Sequence, residues 1–332
     1  MARAGGALHL RCKEVGLPVE AVAIMRPWYP PALISVVRRT RSAAILHAHD
    51  SHAVTLAAVA RAANQRQPLV IHRRISYPPN SFLADRWKYR HIDRWIAVSH
   101  DIAGQLDRAG AFDVAVVPSA VDIEGLKLGS QVLEAGNLRS ELGIDGESRV
   151  IGLFGALARQ KGHETLIDAA WEILEAVPEA IFLCVGEGGH RERLQRRVRR
   201  MGLGGVFRFT GFRRDAPELM SLCEMVVAPS LDGEGSSAVI KEAIVLGIPI
   251  VASDLPGNLE VLDGGGTVFA VGDVRALAEV VVSVLQGSDR RGDSVELGPN
   301  RLEIWSPKAM AAEVLSVYES LGREVELAAE VV

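Results

Sequence analysis

Short apolar, β-branched runs alternate along this chain with longer segments patterned at helical period, and that alternation limits its fold more than any other feature. The runs Val19–Ile24, Ala44–His47, Leu69–His72, Trp95–Val98 and Val114–Val117 fall in the first part. Val150–Phe154, Ile181–Val185, Val206–Thr210, Met225–Ala228, Ile248–Ala252 and Thr267–Phe269 follow in the second. Between them, stretches such as His163–Val177 repeat apolar residues (Leu166, Ile167, Ala170, Leu174, Val177) on one helical face. Strands that read as continuous apolar runs are buried on both faces, so helices must cover both sides of parallel sheets. Aromatic residues make up only 5% of the chain, which suits this α/β packing better than a β-sandwich. At 332 residues there is room for two such domains.

A polar segment, Asp122–Ser148, carries five glycines and no strand signal, and reads as the connection between the two strand series. The expected organisation is therefore a Rossmann-like domain over 1–125, a linker over 126–148, a second Rossmann-like domain over 149–303, and a final helix over 304–322. Ser306 and Pro307 supply the N-cap and first helical position of that helix. Doubly wound sheets bind ligands beyond the carboxyl ends of their strands, so chemistry is expected in the strand-end loops and in a cleft between the domains.

Charge is uneven. Residues 1–125 hold 16 Lys and Arg against 10 Asp and Glu, whereas the remainder holds 21 against 31. The basic first part suits an anionic partner such as a phospholipid surface or phosphorylated acceptor, and it equally suits ordinary solvated surface. Six arginines lie in Arg191–Arg200, but Leu194 and Val198 recur at helical spacing, so this is an exposed helix face and no nucleic-acid partner is expected. Cys12, Cys184 and Cys223 fit neither a zinc nor a disulfide spacing, which points to a reducing compartment. No apolar run reaches the ~18 residues that span a bilayer. Arg11, Lys13 and Glu14 interrupt any leader-like stretch. The chain reads as cytoplasmic, with peripheral contact at the inner face of the membrane left open.

The strongest chemical signal is Asp232-Gly-Glu234-Gly235-Ser236-Ser237-Ala238-Val-Ile-Lys-Glu242, after the strand Met225–Ala228. A helix opens near Ser236 or Ser237, where free backbone N–H groups and the positive end of the helix dipole can hold a phosphate. Gly235, Ser236, Ser237 and Ala238 leave space for it. Glu234 stands ahead of the helix, and Glu242, two turns in, can accept two hydrogen bonds from vicinal hydroxyls. A second signal, Gly155-Ala-Leu-Ala-Arg159-Gln-Lys161-Gly162, also joins a strand to a helix. Its two cations can stabilise charge building on a leaving phosphate. Gly186 and Gly188 mark a third strand end, and Phe212, just past a fourth, offers an apolar surface for a base. No Asp-x-Asp occurs, so no cofactor and no obligatory metal is expected at the diphosphate.

Together these motifs resemble the retaining glycosyltransferases of family 4, which have the GT-B fold. The resemblance runs from about residue 10 to residue 322, and the family's signature of two glutamates seven residues apart matches Glu234 and Glu242. It implies that Glu234 contacts the donor sugar, Glu242 the ribose and Lys161 the phosphates. An Arg often follows the first glycine of that loop in the family. Ala156 stands here, and Arg159 is the alternative source of charge. In the first domain, His47-Ala-His49-Asp50 and Ala97-Val98-Ser99 close strands as similar strings do in many members. His72-Arg73-Arg74 before Tyr77-Pro78-Pro79 resembles an acceptor loop. His49, Arg73 and Arg74 are thus candidates on the acceptor side, although strand-end histidines can equally serve as backbone hydrogen-bonding groups.

The resemblance implies transfer of a sugar from a nucleoside diphosphate to a hydroxyl of a lipid-linked or saccharide acceptor, with retained configuration. Synthesis of envelope polysaccharide, lipopolysaccharide or glycolipid is the expected setting. A non-catalytic sugar-nucleotide-binding protein and a GT-B epimerase are the rival readings. A dinucleotide oxidoreductase is disfavoured because no Gly-x-Gly-x-x-Gly opens a first β-α-β unit. The resemblance also implies that the first domain is truncated, since Gly5-Gly6 leads through one short helix into Val19–Ile24 where a further β-α-β unit is expected.

Overall fold

The computed structural model describes residues 1–23, 29–64, 67–76, 87–131, 135–287 and 299–321. The chain divides into two compact units, one of residues 1–117 with Ala311 onward, the other Pro118–Met310.

The first unit opens on strand β1 (Ala2–Arg3), helix α1 (Ala7–Glu14) and strand β2 (Ala21–Val22). β1 and β2 pair in parallel, Ala2 with Ala21 and Arg3 with Val22. The sequence pattern does not reveal β1, because a two-residue strand is too short to leave a periodic signal. Helix α2 (Pro30–Arg39) follows, then β3 (Leu46–Ala48), α3 (Ser51–Asn64), β4 (Leu69–Arg73), β5 (Arg94–Ala97), α4 (His100–Arg108) and β6 (Val114–Val116). These last four strands form a parallel sheet in the order β3-β4-β5-β6. Its core gathers Leu46, Leu69, Ile71, Trp95, Ile102 and Leu106. Ser99 caps α4 by accepting from the Ile102 amide at 3.3 Å. Tyr77, Pro78 and Pro79 lie outside the described residues.

The second unit carries a six-stranded parallel sheet. Its elements are β7 (Arg149–Phe154), a 3₁₀ turn (Arg159–Lys161), α7 (His163–Ala176), β8 (Ala180–Val185), α8 (Arg191–Arg200), β9 (Phe207–Gly211), α9 (Ala216–Ser221), β10 (Met225–Ala228), α10 (Ala238–Val245), β11 (Ile250–Ser253), α11 (Pro256–Leu262), β12 (Thr267–Phe269) and α12 (Val274–Leu285). The order β12-β11-β10-β7-β8-β9 makes β7 and β10 the strands where the winding reverses. Side chains alternate between two cores: Ile151, Leu153, Phe182 and Val227 face α7 and α12, whereas Val150, Leu183 and Val226 face the opposite layer.

The segment expected as a linker belongs to that opposite layer. Two helices, α5 (Ile123–Gln131) and α6 (Ala135–Glu141), precede β7, and Val121, Leu126 and Ile144 are buried in the second core. A Cβ at Gly129 would lie 3.2 Å from a carboxylate oxygen of Glu218 on α9, so this glycine admits a close helix contact and does not mark a loop. Helix α13 (Pro299–Ile304) and helix α14 (Pro307–Glu319) end the described chain. No helix among the described residues is long and apolar enough to cross a membrane.

Among the described residues, the two sheets of the first unit share no strand pairing. A cavity of about 650 Å³ lies beside them, lined by Ala2, Val22, Val36, Leu46, His47 and Leu56 among others. Among the described residues β3 is consequently an edge strand, and edge strands leave backbone groups unpaired. Hydrogen exchange should therefore reach the amides of β1, β2 and β3 well before those of β7, β8 and β10. Equal protection of the two sets would show that the gap carries no cost.

Candidate functional site

The strand-end loops of the second unit are held together by backbone contact. Gly186, at φ +142°, follows β8, and a Cβ there would lie 1.9 Å from the Gly155 carbonyl oxygen. Its amide donates to the Gly211 carbonyl at 2.9 Å, and the Gly155 amide donates to that of Val185 at 2.9 Å. Gly188 is tight against the Leu157 carbonyl. Gly162, at φ +66°, lies so close to β10's end that a Cβ would meet the Pro229 carbonyl oxygen at 1.7 Å. Only glycine serves at such a position.

These contacts bring Lys161 to Glu234. The Lys161 ammonium donates to Glu234 Oε1 at 2.5 Å, and its aliphatic stem passes over Gly155, 3.7 Å from where a Cβ would sit. The Ser230 hydroxyl donates to the same Oε1 at 2.6 Å. Oε2 is therefore without a hydrogen-bond partner among the described residues, although Glu234 as a whole is only 8% exposed. Arg159, on the same 3₁₀ turn, is exposed and does not join this pair.

Ser237 is the N-cap of α10, and its side chain makes no capping hydrogen bond, so the first amides of the helix keep their donors for an external acceptor. Ala238, the first helical residue, is exposed, whereas Gly235 is buried. Ser236 has a different task from the one expected, because its hydroxyl accepts from Lys241 Nζ at 2.6 Å. Two turns into α10, Glu242 is half-buried, and its carboxylate makes no hydrogen bond among the described residues. Burial pushes its carboxyl above the ordinary range. Phe212, 71% exposed, follows β9 and is available for stacking.

Several supporting residues carry no motif. Lys241 is 1% exposed, donates to the Ser119 carbonyl at 2.6 Å, and stands 5.4 Å from the Trp305 ring centre. The Ser253 hydroxyl donates to the Ser230 carbonyl at 2.7 Å, and Asn258 donates to Ser253. This buried chain of hydrogen bonds holds Ser230 under Glu234. His163, the first residue of α7, has neither ring nitrogen bonded among the described residues, and burial lowers it to about 4, assisted by the Lys161 charge. It escaped notice because a histidine opening a helix carries no distinctive spacing.

In the first unit, Arg73 ends β4 half-buried and Arg74 is exposed one residue on. His49 is exposed at the end of β3, 4.2 Å ring to ring from His47.

A doubly wound domain that presents a lysine–carboxylate pair and an uncapped helix start at its strand ends has the geometry in which α/β proteins can hold anions. Comparison with known proteins narrows the class. Residues 148–287 match the family described as glycosyl transferases group 1, and residues 4–124 match glycosyltransferase family 4. The phosphatidyl-myo-inositol mannosyltransferase of Mycobacterium leprae is 29% identical over 324 residues, spanning 92% of this chain and 83% of its own. The lipopolysaccharide core biosynthesis mannosyltransferase of Rhizobium meliloti is 27% identical over 246 residues, 70% of this chain and 67% of its own. Among solved structures, Anabaena HepE in complex with UDP and glucose superposes with a TM-score of 0.79 at 25% identity, covering 96% of this chain and 89% of that one. The chain belongs to glycosyltransferase family 4 and has the GT-B fold.

The environment of Glu242 generates a test. Its folded pKa lies above the ordinary 4.5 because burial disfavours the charge. The fold therefore keeps its full stability below the unfolded value and loses part of it as pH rises through the folded one. Glu242→Gln should melt higher than the parent at neutral pH, with the difference closing as pH falls below 4.5. A variant that melts lower at neutral pH would mean that the carboxylate has a stabilising partner.

Proposed function

We propose that the chain transfers a hexose-type sugar from a nucleoside diphosphate to an acceptor hydroxyl with retained configuration, in the assembly of envelope polysaccharide, lipopolysaccharide or glycolipid. The observation that carries this reading is the Lys161–Glu234 pair, with Glu234 Oε2 left open beside an uncapped helix start. The α10 amides receive the phosphates. Lys161 neutralises charge on the departing diphosphate, Glu234 Oε2 accepts from a sugar hydroxyl, and Glu242 accepts from the ribose. Arg159 adds positive charge near the phosphates, and Phe212 offers its ring to the base.

The bond from the anomeric carbon to the β-phosphate oxygen breaks, and its electron pair stays on that oxygen. The acceptor oxygen bonds to the same face of the carbon and gives its proton to the departing phosphate. No side chain need act as a general base, and no metal is required at the diphosphate. Acceptor binding is assigned to the first unit, where His49, Arg73 and Arg74 gather at strand ends. UDP and glucose in HepE, and the phosphatidyl-myo-inositol and lipopolysaccharide-core mannosyltransferase names of the relatives, make UDP-sugars and mannose-bearing nucleotides the first donors to test and lipid-linked or saccharide hydroxyls the acceptor class.

Lys161→Ala should lower turnover about 10²–10³-fold, the usual loss when one preorganised charge contact is removed, while leaving the fold intact. Sugar transfer within a few-fold of the parent would remove Lys161 from this role, and donor binding without any transfer by the parent would favour a non-catalytic binding protein.

The two glutamates should separate by ligand. Glu242→Ala is expected to weaken the bare nucleoside diphosphate, whereas Glu234→Ala should spare it and weaken the sugar-bearing donor. Calorimetry with UDP and a UDP-sugar reads both, and the opposite pattern would reverse the assignment.

A further inference from the structure

At the start of α10 one hydroxyl is engaged on one side only. Ser236 is half-buried and stands one residue ahead of the N-cap Ser237. Its oxygen accepts from the Lys241 ammonium at 2.6 Å. A serine hydroxyl has one proton to donate besides the lone pairs with which it accepts. An ammonium brings only hydrogens to its side of the contact, so the Ser236 proton must turn away from Lys241. Among the described residues that proton has no acceptor.

The lysine is held by a frame outside the loop it supports. Side chains on a helix lean toward its N-terminus, so a lysine in the fourth helical position reaches back over the first turn. Lys241 is 1% exposed and lies among Ile240, Ala243 and Ile244, which are also buried. Its second bond, to the Ser119 carbonyl at 2.6 Å, and the Trp305 ring at 5.4 Å fix where the nitrogen sits. The segments bearing Ser119 and Trp305 are tied in turn, since the Val121 amide donates to the Trp305 carbonyl at 2.9 Å. Gly257 of α11 backs the same loop, and a Cβ there would run into the carbonyl oxygens of Glu234 and Gly235. Ser236 is therefore set in a braced loop with its oxygen pinned from within.

We propose that Lys241 is a positioning residue for the donor diphosphate, holding the Ser236 oxygen so that the Ser236 O–H points outward and donates to a phosphate oxygen beside the first α10 amides. The role presupposes the donor site proposed above. Lys241 does not touch the ligand. A hydrogen bond from a charged donor polarises the hydroxyl, which makes its own proton the stronger donor. Without the ammonium the hydroxyl is free to turn back onto nearby backbone, as serines at helix starts do. The two lysines divide the work: Lys161 donates to the Glu234 carboxylate, whereas Lys241 acts through an uncharged oxygen.

The full chain is titrated with UDP, GDP and ADP in a calorimeter, and the tightest binder is carried to the variants. Ser236→Ala and Lys241→Met should each weaken it roughly 10-fold, the usual worth of one hydrogen bond to a charged group. The double variant should be no weaker than either single one, because both remove the same contact. Ser236→Thr restores a hydroxyl and should bind as the parent does, a rescue that a packing role would not give. Thermal melting confirms that each variant is folded. If Lys241→Met does not fold, Ser236→Ala and Ser236→Thr carry the test, and equal affinity in the two removes the hydroxyl through which the lysine acts. Additive losses in the double variant, or parental affinity in Lys241→Met, would overturn the proposal and leave the donor site standing. A folded parent that binds none of the three nucleotides would overturn both.

Discussion

The candidate donor site depends on main chain approaching main chain. Gly186 against the Gly155 carbonyl, and Gly162 against that of Pro229, set the ends of β7, β8 and β10 closer than any side chain permits. A lysine and a glutamate 73 positions apart can share a 2.5 Å contact only because the loops carrying them touch first. The ion pair is thus a product of backbone packing, and the backbone packing is a product of absent side chains.

A second layer keeps the exposed chemistry in place. Ser230 reaches Glu234, Ser253 holds the Ser230 carbonyl, and Asn258 holds Ser253, all of them buried. Lys241 is costlier, since a buried ammonium loses its hydration and must be repaid with hydrogen bonds. It receives them from the Ser119 carbonyl and the Ser236 hydroxyl. The serine that looked like room for a phosphate is also what makes this lysine tolerable.

What could be read from the residues followed a consistent line. Glu234, Lys161 and Glu242 were legible because each sits at a fixed offset from a strand end, and strand ends show in the apolar pattern. Lys241 and Asn258 were not, because their meaning lies in partners that only folding brings near. The polar run 122–148 misled for a related reason: its glycines were counted as loop residues, whereas Gly129 admits a helix contact and Leu126 and Ile144 are core. A two-residue strand such as β1 lies below the length at which periodicity says anything.

One hydrogen bond in the second unit has a consequence for how such chains come to exist. The Val121 amide donates to the Trp305 carbonyl at 2.9 Å, and Lys241 reaches both Ser119 and the Trp305 ring. The stretch 118–310 is continuous in sequence, and its two ends are stitched side by side. A piece of chain that leaves where it enters can be spliced into a host without spreading the host's own ends. The second unit is, in that sense, a cassette: a gene could trade it as one uninterrupted block and leave the first unit's own strands in their order.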